Sequence, residues 1–194
     1  MFGDAALFFG LWLQKPLQIA AVCPSSNHLA DAMARLVDLD RPGPVLELGA
    51  GTGGLTRGLL RAGCTPDRLV VFEREQRLVS VLRREFHGIT TITGDALDLE
   101  AHLSEAGIEQ LSAVVSSLPI KWFSPAAQCA VLQPCFDRLG AGGRFLQLTN
   151  AFASPVDIRR LGISGREAAR VWRNLPPAQV WSYTPCAIEM GGTP

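Results

Sequence analysis

Glycines and acidic side chains stand where predicted strands end, and these residue types are suited to holding a nucleoside-containing ligand. The loop from Gly49 to Gly53 has glycine at alternate positions, and Glu73 lies 20 residues after Gly53. Glycine adopts positive φ and has no Cβ, so its backbone can close on a ligand. A carboxylate about that far along the chain can accept both hydroxyls of a ribose. Asp95 follows a third predicted strand and can accept a hydrogen bond from an adenine amino group.

The glycine loop by itself is compatible with two classes of cofactor. Gly49, Gly51 and Gly54 also match the dinucleotide pattern G-x-G-x-x-G, in which the loop holds a pyrophosphate. Glu47 lies in the predicted strand just before the loop, where a carboxylate would repel a pyrophosphate but would attract a cation. The composition shows no boundary to a second, substrate-binding domain. These two features favour a cationic cofactor over a dinucleotide.

Alternating strand and helix patterns position these residues, which predicts an α/β fold of the Rossmann-like class. Buried strands are predicted over 45–48, 69–72, 89–93, 113–116 and 144–148. A helix with one apolar face is predicted over 29–37. Further helices are predicted over 55–61, 78–86 and 99–105, and from 125 onward with a kink at Pro134. The segments 170–173 and 180–183 predict a C-terminal antiparallel hairpin after a mostly parallel sheet. Ligands of such sheets bind at the carboxyl ends of the strands.

Length and composition predict one ordered domain. The chain has 194 residues, of which 47% are hydrophobic and 19% charged, and its formal net charge of +0 argues against a globally basic nucleic-acid binder. We expect a single domain over 1–194, with N-terminal helices over 1–40 and the Rossmann-like core over 41–194. The five cysteines lack C-x-x-C spacing, so reduced thiols and no metal site are expected. The apolar run 5–13 is too short to span a bilayer, which takes roughly 20 residues.

The complete set of motifs resembles the class I S-adenosylmethionine-dependent methyltransferases. It comprises E-L-G-A-G-T-G at 47–53, Glu73, G-D-A at 94–96 and S-S-L-P at 116–119. Four stretches narrow the resemblance to the bacterial phospholipid N-methyltransferases, which methylate phosphatidylethanolamine toward phosphatidylcholine. These stretches are A-V-C-P-S-S at 21–26, S-S-L-P at 116–119, R-F-L-Q-L-T at 144–149 and V-W-R-N-L-P-P-A-Q-V-W at 171–181.

The resemblance implies that S-adenosylmethionine is the cofactor, and it gives the matched residues a role. Gly49, Gly51 and Gly53 are expected at the methionine portion, Glu73 at the ribose, and Asp95 with Ala96 beside the adenine. Ser25 and Ser26 are expected to line the methionine end. The other residues expected to contact the cofactor are Glu47, Ala50, Thr52, Arg74 and Ser116.

The resemblance places the methyl-transfer site in the loop after the fourth strand, at Ser116, Leu118 and Pro119. The fold also resembles the rRNA adenine dimethylases, whose related loop is Asn-Leu-Pro-Tyr. Serine at position 116 in place of that asparagine argues against an adenine amino group as the acceptor. The family pattern further predicts an aromatic residue after Thr149, where this chain has Asn150. An rRNA adenine dimethylase, a small-molecule amine methyltransferase and a cofactor-binding protein without turnover stay open as alternatives.

An ethanolamine headgroup must lose its proton before it can accept a methyl group. Desolvation lowers the pKa of an amine, and alignment assists the displacement, so no general base is assigned. As methyl groups accumulate, the cationic headgroup could be held on an aromatic face. The candidates for that face, each of which could instead serve core packing, are Trp12, Trp122, Phe123 and Tyr183.

Two features suggest contact with a membrane surface. The leader 1–13, followed by Lys15, is predicted either to lie in the bilayer interface or to cover the cofactor pocket. Positive charge is concentrated late in the chain, at Arg159, Arg160, Arg166, Arg170 and Arg173. These arginines could attract anionic lipid, or they could simply be solvated. We therefore expect a cytoplasmic protein held peripherally at the inner face of the membrane, with a phospholipid substrate, no nucleic-acid ligand and no obligate protein partner.

Overall fold

Seven strands form one sheet in the computed structural model, which describes residues 27–172 and 177–185. The strands are β1 (Val45–Leu48), β2 (Leu69–Glu73), β3 (Thr90–Thr93), β4 (Leu111–Ser116), β5 (Leu139–Thr149), β6 (Ile163–Val171) and β7 (Ala178–Pro185). Their order across the sheet is β3-β2-β1-β4-β5-β7-β6. The first five are parallel, and β7 is antiparallel to both β5 and β6. The predicted fold class, including the C-terminal hairpin, is confirmed.

Helices cover both faces of the sheet. They are α1 (Asn27–Ala34), α2 (Gly54–Arg61), α3 (Gln76–Glu85), α4 (Leu99–Glu105), α5 (Pro125–Arg138) and the short α6 (Ile158–Leu161). Helices α1 to α3 contribute Leu29, Leu59 and Leu82 to one apolar cluster. Helices α4 and α5 contribute Leu103 and Val131 to a second cluster. Every residue of β1, β2 and β4 is buried, because these central strands are covered on both sides.

The sheet brings the predicted site residues to one edge. Leu48 at the end of β1 pairs with Phe72 of β2 and with Ser116 of β4. The chain adds β2 and β3 on one side of β1 but places β4 and β5 on its other side, so the strand order reverses at β1. Ligands of open α/β sheets bind at such a reversal, beyond the carboxyl ends of the strands. We call this side of the sheet the carboxyl edge.

Two boundaries differ most from the sequence-based predictions. The predicted turn at 141–143 lies inside β5 as an irregularity, because β4 pairs with Leu139 and then resumes pairing at Arg144. Gly142 supplies the positive φ that this irregularity needs. Strand β6 begins at Ile163, well before the predicted residue 170. The sequence pattern missed this start because the exposed edge strand has little apolar alternation. Helix α5 continues through Pro134, and the predicted kink there stays a prediction.

Residues 1–26, which include the leader 1–13, Ser25 and Ser26, lie outside the described residues, as do Arg173 and residues 174–176 of the tail motif. The roles predicted for them, and the division at residue 40, therefore stay predictions. Within the described ranges, none of the helices has the length and apolar character needed to cross a bilayer. Three cysteines in these ranges, Cys64, Cys129 and Cys135, are free thiols.

Candidate active site

The glycine loop joins β1 to α2, and three of its glycines adopt positive φ. The values are +76° at Gly49, +58° at Gly51 and +79° at Gly53. A Cβ on Gly49 would lie 2.9 Å from the Leu118 side chain, and one on Gly53 would lie 2.4 Å from the Phe86 ring. A Cβ on Gly51 would meet nothing within 4 Å. The outer glycines are therefore needed for close packing, whereas Gly51 leaves open space in which a ligand can approach the backbone.

Glu73 ties the glycine loop to the end of β2. Its Oε2 accepts a hydrogen bond from the Gly51 N–H at 2.8 Å, and its Oε1 accepts from the N–H groups of Arg74 and Glu75, both at 2.9 Å. A carboxylate offers about four acceptor positions, so these bonds leave about one for a ribose hydroxyl. Glu73 therefore shapes the loop in addition to any contact it makes with a ligand.

Asp95 lies beside Glu73 at the carboxyl edge, as predicted from its place after β3. Its Oδ1 accepts from the Leu97 N–H at 3.1 Å, and its Oδ2 forms an ion pair with Arg74 at 3.2 Å. Both side chains are partly exposed, whereas Ala96 is buried in the apolar cluster under α4 and α5. Asp95 and Arg74 can reach a ligand, and Ala96 can offer it only a backbone contact or the edge of its methyl group.

Glu47 is completely buried beneath the glycine loop. Its Oε2 accepts from the Thr56 hydroxyl of α2 at 2.8 Å, and its Oε1 has no partner among the described residues. Burial raises the pKa of this carboxyl to about 7, and the negative charge of Glu73 adds to the rise. A nearby cation would favour the ionised form and lower that pKa again. The unsatisfied oxygen thus fits a positively charged ligand held by the loop.

The loop after β4 contacts the glycine loop through Ser117. Its Oγ donates to the Gly49 carbonyl at 2.5 Å, and its N–H donates to the Leu48 carbonyl at 3.0 Å. Ser116 is fully buried, and its Oγ accepts from the Leu118 N–H at 3.3 Å. The Leu118 side chain packs in the core, while Pro119 is only half-buried. The serine that joins the two loops is therefore Ser117, which was not among the residues singled out in the S-S-L-P motif.

A cavity of about 330 Å³ opens directly beside this junction. Its walls are the β4 loop over 117–122, the end of β5 over 147–150, Leu29 of α1 and Pro155. Lys121 is the charged residue among them. The size lies in the range of small-ligand sites, and Ser117 lines the cavity while it contacts the glycine loop. A ligand in the cavity would thus lie next to one held by the glycines.

The aromatic residues considered for a cationic headgroup fall in different environments. Trp122 lines the cavity and is 43% exposed, with the Lys121 ammonium 4.5 Å from its ring centroid. Phe123 packs against the core. Tyr183 has the other role considered for it, core packing, because its ring is fully buried and its hydroxyl is bonded to Ser154 at 2.8 Å. Trp12 lies outside the described residues.

The arginines that the sequence groups together are spread over the fold. Arg170, near the end of β6, pairs with Glu167 at 2.7 Å and lies over the Trp172 ring. Arg159 and Arg160 lie on α6, immediately before β6 begins and therefore at the opposite edge of the sheet. Arg159 and Arg160 are therefore separated from Arg170 by the length of β6.

Known proteins are similar to this chain in sequence and in fold. The ornithine lipid N-methyltransferase of Singulisphaera acidiphila is 33% identical over 150 residues, which cover 75% of this chain and 78% of that protein. The chain belongs to the class I S-adenosylmethionine-dependent methyltransferases. No family model matches it. The ribosomal RNA small subunit methyltransferase A of Anaeromyxobacter dehalogenans is 35% identical over 170 residues, and the matched region covers 57% of that protein.

The structure of TrmN from Thermus thermophilus has the same fold, with a TM-score of 0.62 over 81% of this methyltransferase chain and 48% of TrmN. At 20% sequence identity, the likeness extends to the fold alone. Within this family, S-adenosylmethionine is the methyl donor. The geometry fits that cofactor, because Gly51 leaves room at the loop and Glu47 has an unsatisfied acceptor for a cation.

The residues of this methyltransferase divide the chemistry between two adjoining spaces. S-adenosylmethionine, when bound, would supply a methyl group on a cationic sulfur. A lone pair that bonds to the methyl carbon displaces that sulfur as a neutral thioether. Glu73 holds the glycine loop in shape, and Glu47 places a titratable carboxyl beneath it. Ser117 holds one wall of the cavity against the glycine loop. Where a ligand displaces water from such a cavity, the pKa of an amine falls, which favours the neutral form that carries a lone pair.

Proposed function

We propose that this enzyme transfers methyl groups from S-adenosylmethionine to the amine of phosphatidylethanolamine and of its mono- and dimethyl derivatives, giving phosphatidylcholine. The observation that supports it most is the cavity that Ser117 joins to the glycine loop, with Lys121 and Trp122 in its wall. The similarity to an ornithine lipid N-methyltransferase supports a lipid amine as the acceptor. The resemblance of the tail motif to phospholipid methyltransferases favours the ethanolamine headgroup.

The two side chains suit the two charges of such a headgroup. The Lys121 ammonium can bind the lipid phosphate, since ammonium groups form charge-assisted hydrogen bonds with phosphate oxygens. The Trp122 ring, over which Lys121 now lies, offers a face for the ammonium as it becomes methylated and less hydrated. A headgroup with an anion a few bonds from an amine would thus place its phosphate at Lys121 and its nitrogen at the Trp122 ring, in the cavity that Ser117 also lines.

Exposed aromatic side chains on the carboxyl edge support binding at a membrane surface. Trp122, Phe152 and Trp172 follow the ends of β4, β5 and β6, which all end at this edge. Phe152 is 81% exposed and Trp172 is 66% exposed. Large aromatic rings are favoured at bilayer interfaces. We propose that these three residues, the edge aromatics, dock the enzyme on the inner face of the membrane together with the leader.

Radiolabelled S-adenosylmethionine tests the acceptor. The purified enzyme is incubated with vesicles of phosphatidylethanolamine, its monomethyl and dimethyl forms, or ornithine lipid, and the lipid is extracted. Label in all three ethanolamine series members supports the proposal, and label in ornithine lipid alone would replace it with that substrate. Absence of label in every lipid, while calorimetry shows cofactor binding, would refute lipid methylation.

Deleting 1–13 should reduce vesicle binding more than cofactor binding if the leader is interfacial.

RNA adenine methylation is a second candidate, because the chain also matches a ribosomal RNA methyltransferase. Ser116 is buried and its hydroxyl is bonded within its own loop, which makes it a poor counterpart of the adenine-binding asparagine. The same assay with 16S ribosomal RNA in place of vesicles separates the two functions. Label in RNA and none in lipid would select this alternative.

A further inference from the structure

We propose that Gln147 determines specificity by accepting a hydrogen bond from the N–H of the acceptor amine. This inference rests on the proposed lipid-amine function and deepens it. It assigns Gln147 to the first and second methylations, whose acceptors carry an N–H, and not to the third. Gln147 lies on β5, opposite Ser116 of β4, and lines the cavity beside Ser117.

The amide of Gln147 is held in one orientation by its nitrogen. Nε2 donates to the Leu118 carbonyl at 2.9 Å and to the Leu148 carbonyl at 2.6 Å, which uses both of its hydrogens. The reversed orientation would place Oε1 against two carbonyl oxygens, which repel it because none of the three has a hydrogen to donate. Oε1 therefore lies on the side of the amide away from these two carbonyls, where it can only accept a hydrogen bond.

That acceptor is buried and unsatisfied. Gln147 is 1% exposed, and its Oε1 has no hydrogen-bond partner in the part of the chain that the structure describes. Buried polar groups in proteins are nearly always paired with protein, water or ligand. Because Gln147 lines the cavity, we take a group bound there as the partner of Oε1. Neighbouring Gln128 shows the ordinary case, because its Nε2 donates to Ile120 and Pro155 while its Oε1 accepts from the Asp157 N–H.

The acceptor nitrogen carries an N–H only in the first two methylations. The amine lone pair forms a bond to the methyl carbon while the carbon–sulfur bond breaks, which leaves a neutral thioether and a product ammonium. After the first two methylations this ammonium releases a proton to water, whereas the quaternary product of the third has none to release. A neutral primary amine has two N–H groups, a secondary amine has one and a tertiary amine has none. Oε1 can therefore orient the lone pair of the first two acceptors by holding an N–H, and it cannot hold the third.

Gln147→Met tests this directly, with Gln128→Met as the matched control. The measured quantity is kcat/KM on vesicles of phosphatidylethanolamine, its monomethyl form and its dimethyl form. Gln147→Met should lower kcat/KM by roughly tenfold or more on phosphatidylethanolamine and its monomethyl form, which is the scale of one hydrogen bond to a reacting group. On the dimethyl form, kcat/KM should stay within about twofold of the wild-type value. Gln128→Met should change all three by one common factor, because its amide is satisfied within the protein.

Each outcome has a distinct consequence. An equal loss on all three lipids for Gln147→Met would overturn the inference and make Gln147 structural, while lipid methylation itself would stand. No transfer from the wild-type enzyme to any lipid amine would overturn the proposed function and the inference together.

A binding measurement covers the case in which the methionine variant does not fold. With S-adenosylhomocysteine present, the wild-type enzyme and Gln147→Leu are titrated with micelles of phosphatidylethanolamine and of phosphatidylcholine, which has no N–H. The variant should lose affinity for the former and retain it for the latter. If the wild-type enzyme binds phosphatidylethanolamine no more tightly than Gln147→Leu does, the inference is wrong and Gln147 has a structural role. The same conclusion follows if Gln147→Leu also fails to fold.

Discussion

Glu47→Gln should stabilise the cofactor-free protein at neutral and alkaline pH. Burial raises the pKa of Glu47 from 4.5 to about 7, so the native state binds a proton more tightly than the unfolded chain. The contribution of Glu47 to stability is therefore fully present below pH 4.5, is lost as the pH rises to about 7, and changes no further above that. A shift of about 2.5 units at 1.36 kcal/mol each corresponds to about 3 kcal/mol lost across this window. Glutamine cannot titrate, yet it can still accept the Thr56 hydroxyl.

Urea unfolding between pH 4 and pH 8 measures this effect. The wild-type free energy of unfolding should fall by about 3 kcal/mol relative to Glu47→Gln between pH 4.5 and 7, and the variant should be the more stable protein at pH 8. Glu100→Gln is the control of opposite sign. Arg138 lowers the pKa of this exposed carboxyl to about 2, so Glu100 supports stability above pH 4.5 and its removal should not help at pH 8. Parallel curves for wild type and Glu47→Gln would refute the assignment.

Three further results are expected. S-adenosylmethionine should bind the wild-type enzyme more tightly as the pH rises from 6 to 8, because a bound cation favours ionised Glu47, and Glu47→Gln should lose this pH dependence in calorimetry. Glu73→Gln should weaken cofactor binding by about 1.5 to 3 kcal/mol, the range for a charge-assisted hydrogen bond, and unchanged affinity would contradict a role at the ribose. Replacing Phe152 and Trp172 with serine should reduce vesicle flotation, whereas Arg160→Ser at the opposite edge should not; an equal loss would indicate general electrostatic binding.

The strands that the sequence predicts well are those with continuous apolar runs. Strand β1 coincides with its prediction, and β2 differs only by Glu73 at its end, because a central parallel strand must be apolar on both faces. Helix α4 also has its predicted bounds. Strand β6 was only partly predicted, because an exposed edge strand is stabilised by pairing with β7 and needs little local apolar pattern.

The sequence by itself determined the class of the fold and the kind of cofactor. Glycines at alternate positions after a buried strand, with Glu73 and Asp95 at the ends of the next two, specify a loop that can bind a nucleoside. Each of these signals is local, since it depends on residue type and on distance along one strand-loop unit. They could therefore be identified before any long-range contact was known.

The tertiary structure decided which side chains face which space. Side chains alternate along a strand, so a difference of one residue separates buried Ser116 from Ser117 at the cavity. The raised pKa of Glu47 depends on helices that cover β1, and the unsatisfied oxygen of Gln147 depends on carbonyls from the β4 loop and from β5. Burial and hydrogen-bond satisfaction arise from elements distant in sequence, and the acceptor site consists of these long-range contacts.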